Sequence, residues 1–229
     1  MSKHSSVSAI IAAAGMSSRM KGINKQFLIL DGIPVLARTL SIFESINEID
    51  EIIVVVQESE ILVVSDLVKD FSINKIKAII PGGSTRQESV LNGLEHVTSQ
   101  KVLIHDGARP FITKEEILGV ISGLDSYDAA AVGVKAKDTI KRVDKNGVIV
   151  ETLNRDELIQ IQTPQGFKTD IILSAHKKAM SDNIEVTDDC ALAELCGISV
   201  KVVLGSYNNI KITTPEDIAI AKGILGGLS

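Results

Sequence analysis

Ala9-Ile-Ile-Ala-Ala-Ala-Gly-Met-Ser-Ser-Arg-Met20, followed closely by Lys25-Gln26, is the stretch that decides how the chain is built. Residues 7–11 are short, apolar and partly β-branched, which predicts a buried strand. Side-chain bulk then drops away at Ala12, Ala13, Ala14 and Gly15. Residues this small let another group approach the backbone closely. Two cations follow, Arg19 and Lys25. A strand that opens into a small-residue loop carrying Arg and Lys suits a polyphosphate. It equally suits a tight strand-to-helix turn whose cations face water. The loop is not a P-loop, because no Gly-Lys-Ser/Thr follows. It is not the dinucleotide fingerprint either, since Gly15 stands alone where three spaced glycines are needed.

Outward from this loop the chain alternates. Residues 33–45 predict a helix with Pro34 near its first turn. The β-branched run 51–56 predicts a strand covered on both faces. A helix over 60–70 and a strand over 76–80 follow, the latter ended by Pro81-Gly82-Gly83. Then come a helix (87–96), a strand (101–105), a helix (114–123) and a strand (129–134). Such alternation implies right-handed crossovers and an α/β fold, a doubly wound, mainly parallel sheet. Ligands in these sheets sit at the carboxyl ends of strands. Loops 12–20, 81–86 and 106–110 are therefore expected to converge on one crevice.

The rhythm breaks at 137–153. Two polar runs flank Asp144-Lys-Asn-Gly147, and Asn-Gly is a strong hairpin signal. An isolated hairpin is marginal in water. This protruding β-hairpin arm, at about 137–155, is therefore expected to pack on a second subunit. Helices over 169–180 and 188–195, strands over 200–204 and 210–213, and a helix from Pro215 complete the pattern. Nothing divides the 229 residues, so one domain over 1–229 is expected.

Composition narrows the partners. A net charge of −5 argues against a non-specific nucleic-acid binder. Aromatic residues make up only 3%, too few for base-stacking platforms. An anionic substrate would need a local basic site, and Arg19, Lys25, Arg109 and Lys211 are of the right type. No apolar run reaches membrane-spanning length, so no membrane role is expected. Cys190 and Cys196 show neither a CxxC spacing nor a His–Cys cluster. Two reduced thiols in a cytoplasmic protein are expected.

Two further stretches carry chemistry. Pro81-Gly-Gly-Ser-Thr-Arg-Gln-Glu-Ser-Val-Leu-Asn-Gly93 exposes backbone at a strand end, where N–H and C=O groups can read a base edge. In His105-Asp-Gly-Ala-Arg-Pro110, neighbouring strand side chains point to opposite faces. Asp106 at the strand tip suits a magnesium or substrate ligand; His105 reads better as a core or supporting histidine.

Taken in order with the first loop, these stretches resemble the 2-C-methyl-D-erythritol 4-phosphate cytidylyltransferase family of Rossmann-like sugar-phosphate nucleotidyltransferases. The likeness runs from about Ser8 to Ala221. It includes Asp138-Thr-Ile-Lys141, Asn154-Arg155, Gln162-Thr-Pro-Gln-Gly-Phe167, Val186-Thr-Asp-Asp189 and Asn209-Ile-Lys-Ile-Thr213.

The resemblance implies transfer of CMP from CTP to a polyol phosphate, with release of pyrophosphate, in non-mevalonate isoprenoid synthesis. It implies Arg19, Lys25 and Lys211 as catalytic cations. Ala13, Ala14 and Gly15 would wrap the triphosphate, Gly83, Ser84 and Ser89 would form the cytidine pocket, and Gly107 would lie near the ribose. Asp106, Arg109, Thr163 and Thr187 would face the acceptor, with Asp106 also a ligand for Mg2+. A homodimer with composite sites would receive Thr139 and Arg155 from the partner's arm region. Asn24 stands where the family often has Pro, and Asn208 where some members carry an acid. Thr187 is a helix cap, a ligand or both. A ribitol-5-phosphate cytidylyltransferase and a non-catalytic nucleotide-binding homologue are the rival readings.

Overall fold

Apolar side chains on alternate positions of the first strand face opposite layers, and the whole domain is assembled on that alternation. The computed structural model describes residues 6–15 and 24–227. The first strand, β1 (Val7–Ala12), is followed by a small ribbon, β2 (Ile29–Leu30) with β3 (Ile33–Pro34). Then come α1 (Val35–Glu44), β4 (Glu51–Val56), α2 (Ile61–Asp70), β5 (Ile76–Pro81), α3 (Arg86–Leu94), β6 (Lys101–Asp106), α4 (Lys114–Gly123) and β7 (Ala129–Lys135). The arm is β8 (Lys141–Val143) with β9 (Ile149–Thr152). The chain ends with β10 (Ile159–Lys168), α5 (Thr169–Ser181), α6 (Asp189–Leu195), β11 (Val200–Leu204) and α7 (Pro215–Gly226).

Seven strands form one sheet in the order β11-β7-β10-β6-β1-β4-β5. All neighbours are parallel except β10, which runs antiparallel to both β6 and β7. Helices cover both faces. Val7, Ala9 and Ile11 of β1, with Ile52, Val54 and Val56 of β4, pack under α1, α2 and α4. Ile10, Ile53 and Val55 face the other way, against α3, α5 and α6. That is the period-two alternation of strands buried on both sides. Side chains cap the helices whose starts flank the cleft. Thr85 accepts the Glu88 N–H at the head of α3, and Asp188 accepts the Ala191 N–H at the head of α6. No helix among the described residues is long and apolar enough to cross a membrane.

Besides the β2–β3 ribbon, which takes Ile33 and Pro34 from the start of the helix expected over 33–45, two elements differ from the sequence expectation. Strand β10 fills a place where no element was expected. Its pairing with β7 is interrupted between Ile161 and Gln165, in the polar stretch that contains Pro164. The strand expected over 210–213 does not form. There the Ile212 N–H donates to Ala108 O (2.9 Å), outside any ladder. Ile212 instead packs with Leu30, Val35, Phe111 and Ala221 in a small third core. The alternation of apolar residues that reads as a strand thus serves a loop that closes over β6.

Candidate active site

Three strand ends meet as expected. Ala12, Ala14 and Gly15 after β1, Gly82 to Arg86 after β5, and Asp106 with Ala108 after β6 line one cleft of about 660 Å³. Lys25, Gln26 and Lys211 complete it from outside the sheet. Arg19 lies outside the described residues.

The wall formed by the glycine turn after β5 is built from close backbone approaches. A Cβ on Gly82 would meet Ala14 Cβ at 2.4 Å and Ser89 Oγ at 2.8 Å. A Cβ on Gly83 would fall 2.2 Å from Glu88 Cγ. Position 82 therefore requires glycine, whereas at Gly83 the Glu88 side chain would have to give way. Ser89 Oγ accepts the Gly83 N–H (3.0 Å) and donates to Thr85 O (2.8 Å). Glu88 takes the Ser84 N–H (2.7 Å) and hydroxyl (2.6 Å). Ala13 and Gly107 sit one layer behind this surface. The Ala13 N–H donates to Val55 O, the Gly107 N–H donates to Ala12 O, and Gln26 Nε2 donates to Ala13 O. Asn24 tethers the turn that carries Lys25: its amide donates to Glu60 and its Oδ1 accepts the Gln26 N–H (3.0 Å).

Asp106 forms the floor, and it is ringed by cations. Lys211 Nζ lies 2.8 Å from Oδ2, Arg109 Nε 3.6 Å from Oδ2, and Arg86 Nε 3.6 Å from Oδ1. Burial by itself would raise this carboxyl's pKa. Lys211, Arg86 and Arg109 outweigh it and hold the group well below the usual carboxylate range. Arg109 is fixed in turn by donating to Asn209 O (2.7 Å).

Beneath the floor a neutral histidine sets the Asp106 turn. His105 Nε2 is 3.1 Å from Arg109 O, a carbonyl that can only accept. Nε2 therefore carries the proton, and Nδ1 accepts from the Thr163 hydroxyl at 3.0 Å. The Thr163 oxygen accepts the Asp106 N–H at 3.1 Å. Burial pushes the His105 pKa down to about 4. Thr163, expected to face the acceptor, is thus buried behind Asp106 as its support. Thr187 is exposed, and Asp188 rather than Thr187 caps α6.

Thr139 and Arg155 do not line this cleft. Both are exposed on the arm, where Arg155 Nη1 donates to Lys137 O at 2.9 Å.

Sequence reasoning missed Arg86 and Asp189. Arg86 lines the cleft, and its Nη2 lies 2.9 Å from Asp189 Oδ2 on α6. Burial works against charge on Asp189, but Arg86 and His176 keep its pKa below the ordinary value. The one available signal was an Arg next to the glycine turn, because its partner lies a hundred residues away.

Residues 7–227 match the family model for 2-C-methyl-D-erythritol 4-phosphate cytidylyltransferase. A protein of that name from Clostridium novyi (strain NT) is 50% identical over 220 residues, covering 95% of each chain. One from Clostridium botulinum (strain ATCC 19397 / Type A) is 47% identical over 232 residues, covering both chains fully. Among solved structures, the 4-diphosphocytidyl-2C-methyl-D-erythritol synthase of Anaerococcus prevotii DSM 20548 superposes with a TM-score of 0.89. It is 36% identical, with 97% of each chain covered.

Proposed function

The chain belongs to the 2-C-methyl-D-erythritol 4-phosphate cytidylyltransferase family, and from that premise we propose how its cleft works. The enzyme transfers CMP from CTP to 2-C-methyl-D-erythritol 4-phosphate. The products are 4-diphosphocytidyl-2-C-methyl-D-erythritol and pyrophosphate, within non-mevalonate isoprenoid synthesis. The observation that carries the site assignment is the convergence of three strand-end loops on a single carboxylate ringed by Lys211, Arg86 and Arg109.

An oxygen of the acceptor's phosphomonoester attacks the α-phosphorus of CTP, and the bond to the pyrophosphate oxygen breaks. The second pKa of such a monoester is about 6, so the nucleophile is already ionised at neutral pH. No general base is required. The site's task is to bring two polyanions together and to stabilise charge on the transferring group. Lys25, Lys211 and Arg109 supply that charge, while the bare backbone at Gly82 and Gly83 receives the base. Among the described residues Asp106 is the single carboxylate lining the cleft, and no three His, Cys, Asp or Glu side chains form a metal-binding group. One ionised carboxylate suits magnesium held chiefly by phosphate oxygens and water. When bound there, magnesium would neutralise phosphate charge.

The reading extends to a homodimer with shared sites. Val143, Val148, Ile149 and Val150 on the arm are each more than half exposed, as an unpartnered apolar surface. Thr139 and Arg155, at the two ends of the arm, lie outside their own subunit's cleft. A two-fold axis would carry them to the partner's acceptor site reciprocally. A cytoplasmic location accords with two free thiols, Cys190 buried and Cys196 exposed.

The test is pyrophosphate release. CTP with 2-C-methyl-D-erythritol 4-phosphate should turn over, chelation should stop it reversibly, and ribitol 5-phosphate should be a poor acceptor. Turnover with ribitol 5-phosphate alone would reassign the acceptor.

A further inference from the structure

Asp189 and His176 are a buried pair that the transfer chemistry above leaves without a task. Asp189 is 1% exposed and His176 0%. They sit on adjacent helices, α6 and α5, with His176 Nε2 3.1 Å from Asp189 Oδ1. Burying a carboxylate is costly, and apolar residues of similar size generally join two helices as well. The second carboxylate oxygen points out of that seam. Asp189 Oδ2 lies 2.9 Å from Arg86 Nη2, and Arg86 Nε lies 3.6 Å from Asp106 Oδ1 in the cleft. Contacts therefore run from the seam between two helices to the reaction site: His176, Asp189, Arg86, Asp106.

The contacts are unequal in a way that matters. The 2.9 Å approach to Asp189 is a close buried ion pair. At 3.6 Å the Nε–H is not spent on Asp106. A guanidinium presents five N–H donors in one rigid plane, so anchoring one edge fixes where the others lie. The anchor itself is held. The backbone N–H groups of Asp189 and Cys190 both donate to Gln165 Oε1 at 3.1 Å. Gln87, the next residue on α3, adds a second tie across the same gap. Its amide donates to Ile184 O (3.0 Å) and accepts the Val186 N–H (3.3 Å). The start of α3, which follows the nucleotide-side loop, is thereby fastened to residues 184–189, which include Thr187.

We infer that Arg86 is a further phosphate-binding residue of the transfer site, held in aim by the buried Asp189–His176 pair. Its ligand is a phosphate oxygen of CTP or of the acceptor, so the inference rests on the transfer reading given above. Asp189 and His176 touch no substrate and act as positioning residues.

Arg86→Lys decides the matter, because it leaves a cation beside Asp189 but removes the fork. Its kcat/KM in the pyrophosphate-release assay should fall about a hundredfold with the melting temperature little changed. A KM rise confined to CTP, or to the acceptor, identifies which phosphate is held. Asp189→Asn and His176→Phe should lower kcat less, and His176→Gln, whose amide can still donate to Asp189, should recover most of the loss. Arg86→Ala should regain activity saturably with added guanidinium ion but not with sodium chloride at equal ionic strength. A role confined to helix packing predicts no such rescue. The inference is overturned if Arg86→Lys stays within about twofold of wild type, or if folded Arg86→Ala ignores guanidinium. Absence of pyrophosphate release by the wild-type protein would instead sink the transfer reading itself.

Discussion

Asp106 at the floor of the cleft and Asp189 in the helix seam behind it are nearly sealed from water, and each meets a guanidinium. On the arm, Arg142 and Glu151 meet at 3.1 Å with about half or more of each side chain in solvent. The distances are similar, but their worth is not. A desolvated charge acts strongly on whatever enters beside it. An exposed pair contributes about 0–1 kcal/mol and is screened by salt. Charge in the cleft therefore serves chemistry, while the arm's charges cannot hold it in place. If the arm has a fixed position, the apolar row Val143, Val148, Ile149 and Val150 must supply it, against another surface.

The largest expected effect strikes the cleft alone. Lys25→Ala and Lys211→Ala should each reduce turnover by about a hundredfold to a thousandfold. Loss of Lys211 leaves Asp106 still facing Arg86 and Arg109, so the melting temperature should move by only a few degrees. Near-normal turnover in either variant would remove that lysine from the site. Gly82→Ala should act next most strongly. Its Cβ would press on Ala14 and Ser89, forcing two loops of the cleft apart and raising KM for CTP about tenfold. Gly147→Ala on the arm is the contrast. Gly147 has φ +82° with open space around it, so the change should cost about 1 kcal/mol locally and leave KM for CTP unaltered.

Mixed dimers test whether the two regions meet. Lys25→Ala damages the site in its own subunit, and Arg155→Ala should damage the partner's. Random re-association makes about half the dimers mixed, each with one doubly damaged and one intact site. Co-refolding two inactive parents should then restore about a quarter of wild-type activity. Activity near zero, with mixed dimers confirmed by mass spectrometry, would place Arg155 in its own subunit's chemistry and end the composite-site reading.

The smallest effect concerns acid. His105 is neutral in the fold down to about pH 4 but protonates near 6.5 when unfolded. Between those values the unfolded chain binds more protons. Stability is therefore greatest above pH 6.5 and falls as pH drops, by at most about 1.4 kcal/mol per unit. Asp106 and Asp189 have lowered pKa values and lose their contribution only below about pH 4. A melting temperature that drops about 3 °C per unit from pH 6.5 to 5, and a flatter profile for His105→Gln, are expected. The arm carries no histidine and should be indifferent. An equal slope in His105→Gln would assign the loss elsewhere.

What the sequence revealed follows the same division. β1, β4 and β6 were legible because strands buried on both faces carry apolar, β-branched stretches such as residues 52–56. The three loops were legible because glycines and alanines at strand ends imply a close approach. β10 was not, since Gln160, Gln162, Thr163, Pro164 and Gln165 make its middle polar, and the buried amides of Gln162 and Gln165 find partners far along the chain. Gln165, for example, meets the head of α6, and Asn209 meets Gln162. Arg86 and Asp189 were missed for the same reason: their partnership exists only once the starts of α3 and α6 are brought together in the fold. The 210–213 stretch misled because its alternation serves a covering loop.

The antiparallel strand has a consequence for the order in which the molecule can be completed. β7 touches β10 and β11 but not β6, so β10 is the wedge that joins the two parts of the sheet. On a growing chain, residues up to Lys135 would hold every strand of the nucleotide-side wall, yet β6 would have a bare edge and β7 no neighbour. Bare edges of apolar strands invite pairing with other chains. A nascent chain released before Lys168 would therefore resemble a half-closed zip rather than a smaller enzyme. The Asp106 turn acquires its Thr163 support only when that late strand slides in.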